Sequence, residues 1–225
     1  MRSLRTRAWL SLTTLAVVMA ALLFFPAATV RYWQAWLYLG IFIGASGLVT
    51  LHLARHDPAL LERRMKGGPF AEKRPRQRLI MLCTSAGFIA LLVVPGLDHR
   101  FGWSDVPIVV VFAGELLVAI GLGLIARVYQ ENPFTAATVE VMENQRVIST
   151  GPYAVVRHPM YASALLYLIG TPLALGSYTG LLPLSAMIPC LIWRLLDEER
   201  LLAQSLAGYT VYQQRVRHRL LPFVW

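Results

Sequence analysis

The feature that most limits how this chain can fold is its succession of long apolar runs. Stretches 8–28, 35–54, 79–97 and 106–126 each approach the length of about 20 residues that an α-helix needs to cross a bilayer core. In lipid the backbone must satisfy its own N–H and C=O groups, which turns such runs into helices. Two shorter runs, 160–175 and 180–195, are joined by "GSYT". Both fall short of a comfortable span, so they are expected to form a tight helical hairpin that crosses only with tilt or local thinning of the bilayer. The expected fold class is all-α: a polytopic integral membrane bundle of four spanning helices, a C-terminal hairpin and a tail. After the last run the helix can continue to Leu206. Ala207-Gly208 then invites a break before a short amphipathic tail helix from Tyr209 to Val216.

Composition agrees with this reading. The chain is 56% hydrophobic and 15% charged, against roughly 25% charged in soluble domains. The net charge of +9 raises nucleic acid as a partner. However, the cations cluster between the apolar runs, where they meet lipid headgroups, and this argues against nucleic-acid binding. Arg2, Arg5 and Arg7 before an apolar run and "PAA" resemble a signal peptide. The run is longer than an h-region of roughly 7–15 residues, and it reads as an uncleaved first helix. Cys83 and Cys190 lie inside apolar runs and suggest neither a disulfide nor a metal pair. No metal-binding cluster is evident, and none is expected.

Of the 21 Lys and Arg, only Arg31 and Arg100 fall on one side of the spans. The excess of positive charge on the other side predicts that both termini, the basic loop 55–78 and the "RHP" region face the cytoplasm, in an inner or plasma membrane. Trp9, Tyr32, Trp33, Trp36, Phe101, Trp103 and Trp193 flank the spans as interfacial anchors would. Two regions share one integrated membrane domain: helices 1–128, and a half, 129–225, that gathers the chemistry.

The stretch "GPYAVVRHPMY", from Gly151 to Tyr161, concentrates polar chemistry where a new apolar run begins. Gly151-Pro152 reads as a turn, and Pro159 suits the first turn of a helix because it lacks an amide proton. Two readings stand side by side. The helix start, with Arg157 and His158, is an anion site; or Arg157 snorkels to lipid phosphate while His158 caps the helix. Asp197, Glu198 and Glu199 end the next helix, where acids oppose the dipole. They are either a solvated end paired with Arg194 or Arg200, or, across the base of the hairpin, the acidic wall opposite "RHP". The second arrangement suits a zwitterion. The rings of Tyr153, Tyr161, Tyr209 and Tyr212 could hold a cation such as a sulfonium.

In order, "GPYAVVRHPMYASALL", a hydrophobic hairpin, "DEERLL" and "YTVYQQRV…LLPF" resemble the C-terminal half of the isoprenylcysteine carboxyl methyltransferase family, whose relatives include phospholipid N-methyltransferases. The resemblance covers roughly 132–225. It implies an S-adenosyl-L-methionine-dependent methyltransferase, with the cofactor between hairpin and tail and a lipophilic substrate entering from the bilayer. Carried over by position, Gly151, Tyr153, Val156, Arg157, His158 and Tyr161 would form the cofactor site. Tyr209 and Tyr212 would join from the tail, and Glu198 or Glu199 would contact the cofactor. Two departures concern the tail: Ser205-Leu206 stands where the family usually has Phe-Gly, and three consecutive acids stand where it needs two.

A carboxylate acceptor needs no base, and Arg194 is the candidate to orient it; an amine acceptor would need a base such as a glutamate or His158. The leading expectation is carboxyl O-methylation of an isoprenylcysteine-like or other lipid-like acceptor. Aminophospholipid N-methylation is the alternative within that class, and a small transporter or scaffold is the alternative outside it. Glu115, inside an apolar run, is a substrate-contact candidate or a protonated side chain against a neighbouring helix. Asn132 either reaches the cofactor or caps a turn, and His52 reads as interfacial. Gly114, Gly121 and Gly123 read as sites of close helix packing.

Overall fold

The computed structural model describes residues 2–72, 74–139 and 141–225, apart from the side chains of Arg2, Ser3 and Pro69. The apolar runs are helices. α1 (Arg2–Ala27) and α2 (Trp33–His56) come first. The basic loop contains a further helix, α3 (Pro58–Met65), before α4 (Pro75–Phe101) and α5 (Ile108–Glu131). Of these, α1, α2, α4 and α5 are long and apolar enough to cross a membrane. α6 (Pro159–Ala174), α7 (Leu181–Ser205) and α8 (Tyr209–Arg215) complete the chain.

α3 is the first departure from expectation, because 55–78 reads as a loop and instead folds. Pro58 occupies the first helical turn, and Asp57 Oδ1 accepts a hydrogen bond from Leu60 N at 2.9 Å. Leu60 and Leu61 are then buried against Ala8, Leu53 and Ala54. Two leucines among charges are too few to reveal an amphipathic face, so the fold is fixed by the neighbouring helices.

The hairpin is unequal. α6 ends close to its predicted limit; α7 runs on to Ser205, in line with the expected continuation to Leu206, and so carries the acid cluster inside the helix rather than at its end. α6 lies tightly on α5. A Cβ at Gly121 would come 2.7 Å from Tyr167 N, and one at Gly170 would come 2.6 Å from Gly114 O. Gly123 differs from expectation: no atom of the described residues lies within 4 Å of its would-be Cβ, since it sits on another side of α5 from Gly121.

Opposite the basic end, one carboxylate ties several elements together. Asp98, on α4, accepts from Ser104 N and Oγ at 2.7 Å, from Ser177 Oγ at 2.5 Å and from Thr179 Oγ1 at 2.6 Å. Tyr32 adds a hydrogen bond to the Leu175 carbonyl at 2.5 Å. Between the two ends, Met19, Leu23, Tyr38, Leu92 and Val118 form the main apolar core.

Candidate active site

The basic end is organised by Glu199. The turn at Gly151, with φ of +56°, and the 3-10 helix Gly151–Ala154 deliver the chain to Arg157 and His158. Arg157 Nε donates to Glu199 Oε1 at 2.7 Å, and His158 Nε2 lies 3.2 Å from the same oxygen. Arg219 Nε donates to Glu199 Oε2 at 2.9 Å. Burial raises the Glu199 carboxyl pKa, but the hydrogen bonds from His158, Arg157 and Arg219 outweigh it and hold it at about 2. Arg157 Nη1 also donates to the carbonyls of Val216 and Arg217, each at 2.9 Å. The backbone N–H groups of Arg157 and His158 bind His218 O and Arg219 O. The "RHP" element therefore clamps the tail. His158 stands at the N-cap of α6 without a side-chain capping bond.

Glu198, one residue earlier, takes another direction. It lines a cavity of about 620 Å³ and accepts a hydrogen bond from Tyr161 Oη at 2.6 Å. Among the described residues it is the only carboxylate lining that cavity. Tyr153, Arg157, His158, Tyr161, Arg194, Tyr209, Tyr212 and Asn132 also line it, whereas Gly151, Val156, Glu199 and Glu115 do not. Glu115 is buried within the bundle, and neither of its carboxylate oxygens has a hydrogen-bond partner among the described residues.

Arg194 is held in place by residues that sequence reading did not single out. Its Nη1 lies 2.9 Å from Glu72 Oε1 and donates to Gln77 Oε1 at 3.0 Å, and its Nη2 donates to Ala137 O at 3.0 Å. Asp197 accepts from Arg74 Nη1 at 2.9 Å and from Gln77 Nε2 at 2.6 Å. Glu72 and Gln77 gave no signal because a lone acid in a basic loop and a polar residue in a first helical turn both look solvent-facing. Their side-chain partners on α7 lie more than a hundred positions away.

The tail supplies the remaining wall. Asn132 Nδ2 donates to Tyr153 Oη at 2.8 Å while its Oδ1 accepts from Phe134 N, so it both caps the turn and borders the cavity. Burial pushes the Tyr153 phenol up to about 12 despite the Asn132 bond. Tyr212 Oη donates to Tyr153 O at 2.7 Å. Among the described residues Tyr209 Oη is buried with no hydrogen-bond partner, and burial raises its pKa so that the phenol keeps its proton. From this polar end the cavity continues between α1, α4 and α5, past Met19, Leu22, Phe88, Ile89 and Ile125.

Residues 109–207 match the phospholipid methyltransferase family. The chain is also similar to "Protein-S-isoprenylcysteine O-methyltransferase B" of Arabidopsis thaliana, at 27% identity over 154 residues, 65% of this chain and 73% of the relative. The helical bundle and these matches support a membrane methyltransferase. Within that class, the chain is similar both to the phospholipid methyltransferases and to an isoprenylcysteine O-methyltransferase.

Proposed function

We propose that the protein is an S-adenosyl-L-methionine-dependent methyltransferase that methylates the carboxylate of a lipophilic, isoprenylcysteine-like acceptor at the cytoplasmic membrane surface. The observation that carries this reading is a single cavity joining a polar end at Glu198 and Tyr209 to an apolar arm between membrane helices. Its volume falls within the roughly 300–1,000 Å³ usual for small-molecule sites. The donor set also fits the cofactor. One carboxylate suits a cationic group, an unpartnered buried phenol can donate to a polar one, and several tyrosine faces accommodate a sulfonium.

When bound, the cofactor supplies a methyl group whose S–CH₃ bond breaks as the O–CH₃ bond to the acceptor forms, leaving a neutral thioether. The chain's residues have the tasks of binding, alignment and water exclusion. Glu198, Tyr153, Tyr161, Tyr209 and Tyr212 hold the donor. Arg157 and His158 back this wall and, through Glu199, fix the tail across it; Gly151 and Val156 shape the turn behind it. Arg194, fixed by Glu72 and Gln77, faces the reacting groups. The apolar arm takes the lipid tail. A carboxylate attacks without losing a proton, so no base is required.

The test uses purified protein in nanodiscs with methyl-labelled cofactor and an N-acetylated S-prenylcysteine. Label should appear in a base-labile methyl ester. Glu198→Gln should weaken cofactor binding about 10–100-fold, as expected for losing a charge-assisted contact of about 1.5–3 kcal/mol. Absence of cofactor binding by folded wild-type protein would reject the reading. The family match over residues 109–207 also favours a second reading, N-methylation of an aminophospholipid. There Glu198 would accept the ammonium proton, and label would appear in phosphatidylethanolamine derivatives.

A further inference from the structure

The cavity also receives a cation from the other half of the chain. Arg64, on α3, lines it and is half-buried. Its Nη1 donates to Ala136 O at 2.6 Å, and its guanidinium carbon lies 5.1 Å from the centre of the Tyr129 ring. The other arginines bordering the cavity are in different situations. Arg157 is paired with Glu199, Arg194 with Glu72, and Arg146 is exposed at the rim. Arg64 has only neutral partners among the described residues, the Ala136 carbonyl and the Tyr129 side chain. A half-buried guanidinium without a carboxylate is poised to take an anion from a ligand, and its planar fork matches a carboxylate.

Position indicates which ligand. α3 packs on Ala8, Leu53 and Ala54 from the first two helices and on Tyr129 of α5. Tyr129 lies one helical turn from Ile125, on the same face, and Ile125 borders the apolar arm. Glu198, Tyr153, Tyr209 and Tyr212 all belong to the C-terminal half. Arg64 therefore enters the cavity from the N-terminal half, beside Tyr129 and Ala136 and near the Ile125 border of the apolar arm.

We infer that Arg64 binds the carboxylate of the methyl acceptor and, with the apolar arm, selects amphiphiles that carry an anionic head. This rests on the carboxyl-methylation reading. It assigns acceptor recognition to the basic segment before α4, outside the family match.

The experiment measures binding and turnover separately. Wild-type protein, Arg64→Gln and Arg64→Lys are compared in nanodiscs of zwitterionic lipid, with an N-acetylated S-prenylcysteine, its carboxamide and a phosphate-headed amphiphile of equal chain length. Wild-type protein should bind the carboxylate in preference to the carboxamide. Arg64→Gln should abolish that preference and raise the acceptor KM about 10–100-fold, the loss of one charged hydrogen-bonding partner. Cofactor affinity should change less than about 3-fold. Arg64→Lys, which keeps the charge, should recover part of the preference, including if the Gln variant folds poorly. Loss of cofactor affinity in both variants with the preference intact would overturn the inference, as would equal wild-type binding of carboxylate and carboxamide. Tighter binding of the phosphate amphiphile would overturn the carboxylate assignment. Arg64-dependent carboxylate binding without methyl transfer would leave the inference standing and reject the proposed function.

Discussion

Glu198 and Glu199 are neighbours in sequence with opposite situations. Successive helical residues point about 100° apart, so one faces the cavity while the other turns toward Arg157, His158 and Arg219. Glu199→Gln would leave this cationic group without its carboxylate, a loss on the order of 3–5 kcal/mol. Melting temperature should fall and the tail should become protease-sensitive. The pH dependence has a definite sign. With a folded pKa near 2 against 4.5 for the free group, Glu199 contributes stability that is full above about pH 4.5 and disappears as pH falls toward 2. Thermal melts from pH 7 to 3 should drop steeply below pH 4.5 in the wild type and less so in Glu199→Gln. Equal slopes would show that the carboxylate does not carry the clamp.

At the scale of elements, the α5–α6 contact sets where the "RHP" end of α6 meets α7. At Gly121 the two backbones approach so closely that a side chain would displace Tyr167. Gly121→Leu should therefore cost several kcal/mol, at or above the roughly 1–3 kcal/mol of ordinary overpacking. Gly123→Leu, where open space surrounds the position, should have a small effect. Detergent melts of the two variants check this, and similar losses would refute the packing assignment. The same element shows what sequence reveals about such contacts. Glycines in an apolar helix announce close packing, but not which of several glycines faces the neighbour.

For the whole molecule, the two ends of the bundle have separate duties. Asp98 gathers donors from the α4–α5 and α6–α7 connections, while the basic end holds the cavity. Asp98→Ala would strand Ser177 and Ser104 donors, and should destabilise by a few kcal/mol, at about 1–3 per unsatisfied group. Cofactor affinity of the surviving folded protein should remain within about 3-fold of wild type. A matching loss of affinity would indicate that the ends are coupled. This latch was not legible beforehand: an aspartate at a helix end beside Ser and Thr reads as ordinary interfacial polarity until the connections are brought together.

The amino-acid sequence by itself determined the helical bundle, because runs of apolar residues that cross lipid can satisfy their backbones in few ways. It also gathered most of the candidate site residues into the C-terminal half, since "RHP", the acid cluster and the tail tyrosines lie close along the chain. Tertiary structure alone decided what each charge does. It turned Glu198 toward the cavity and Glu199 toward the tail, joined Glu72 and Gln77 to Arg194, and brought Arg64 from the basic segment to the cavity wall. The physical reason is that burial follows local periodicity, whereas a buried charge needs a partner from any part of the chain that packing brings within reach.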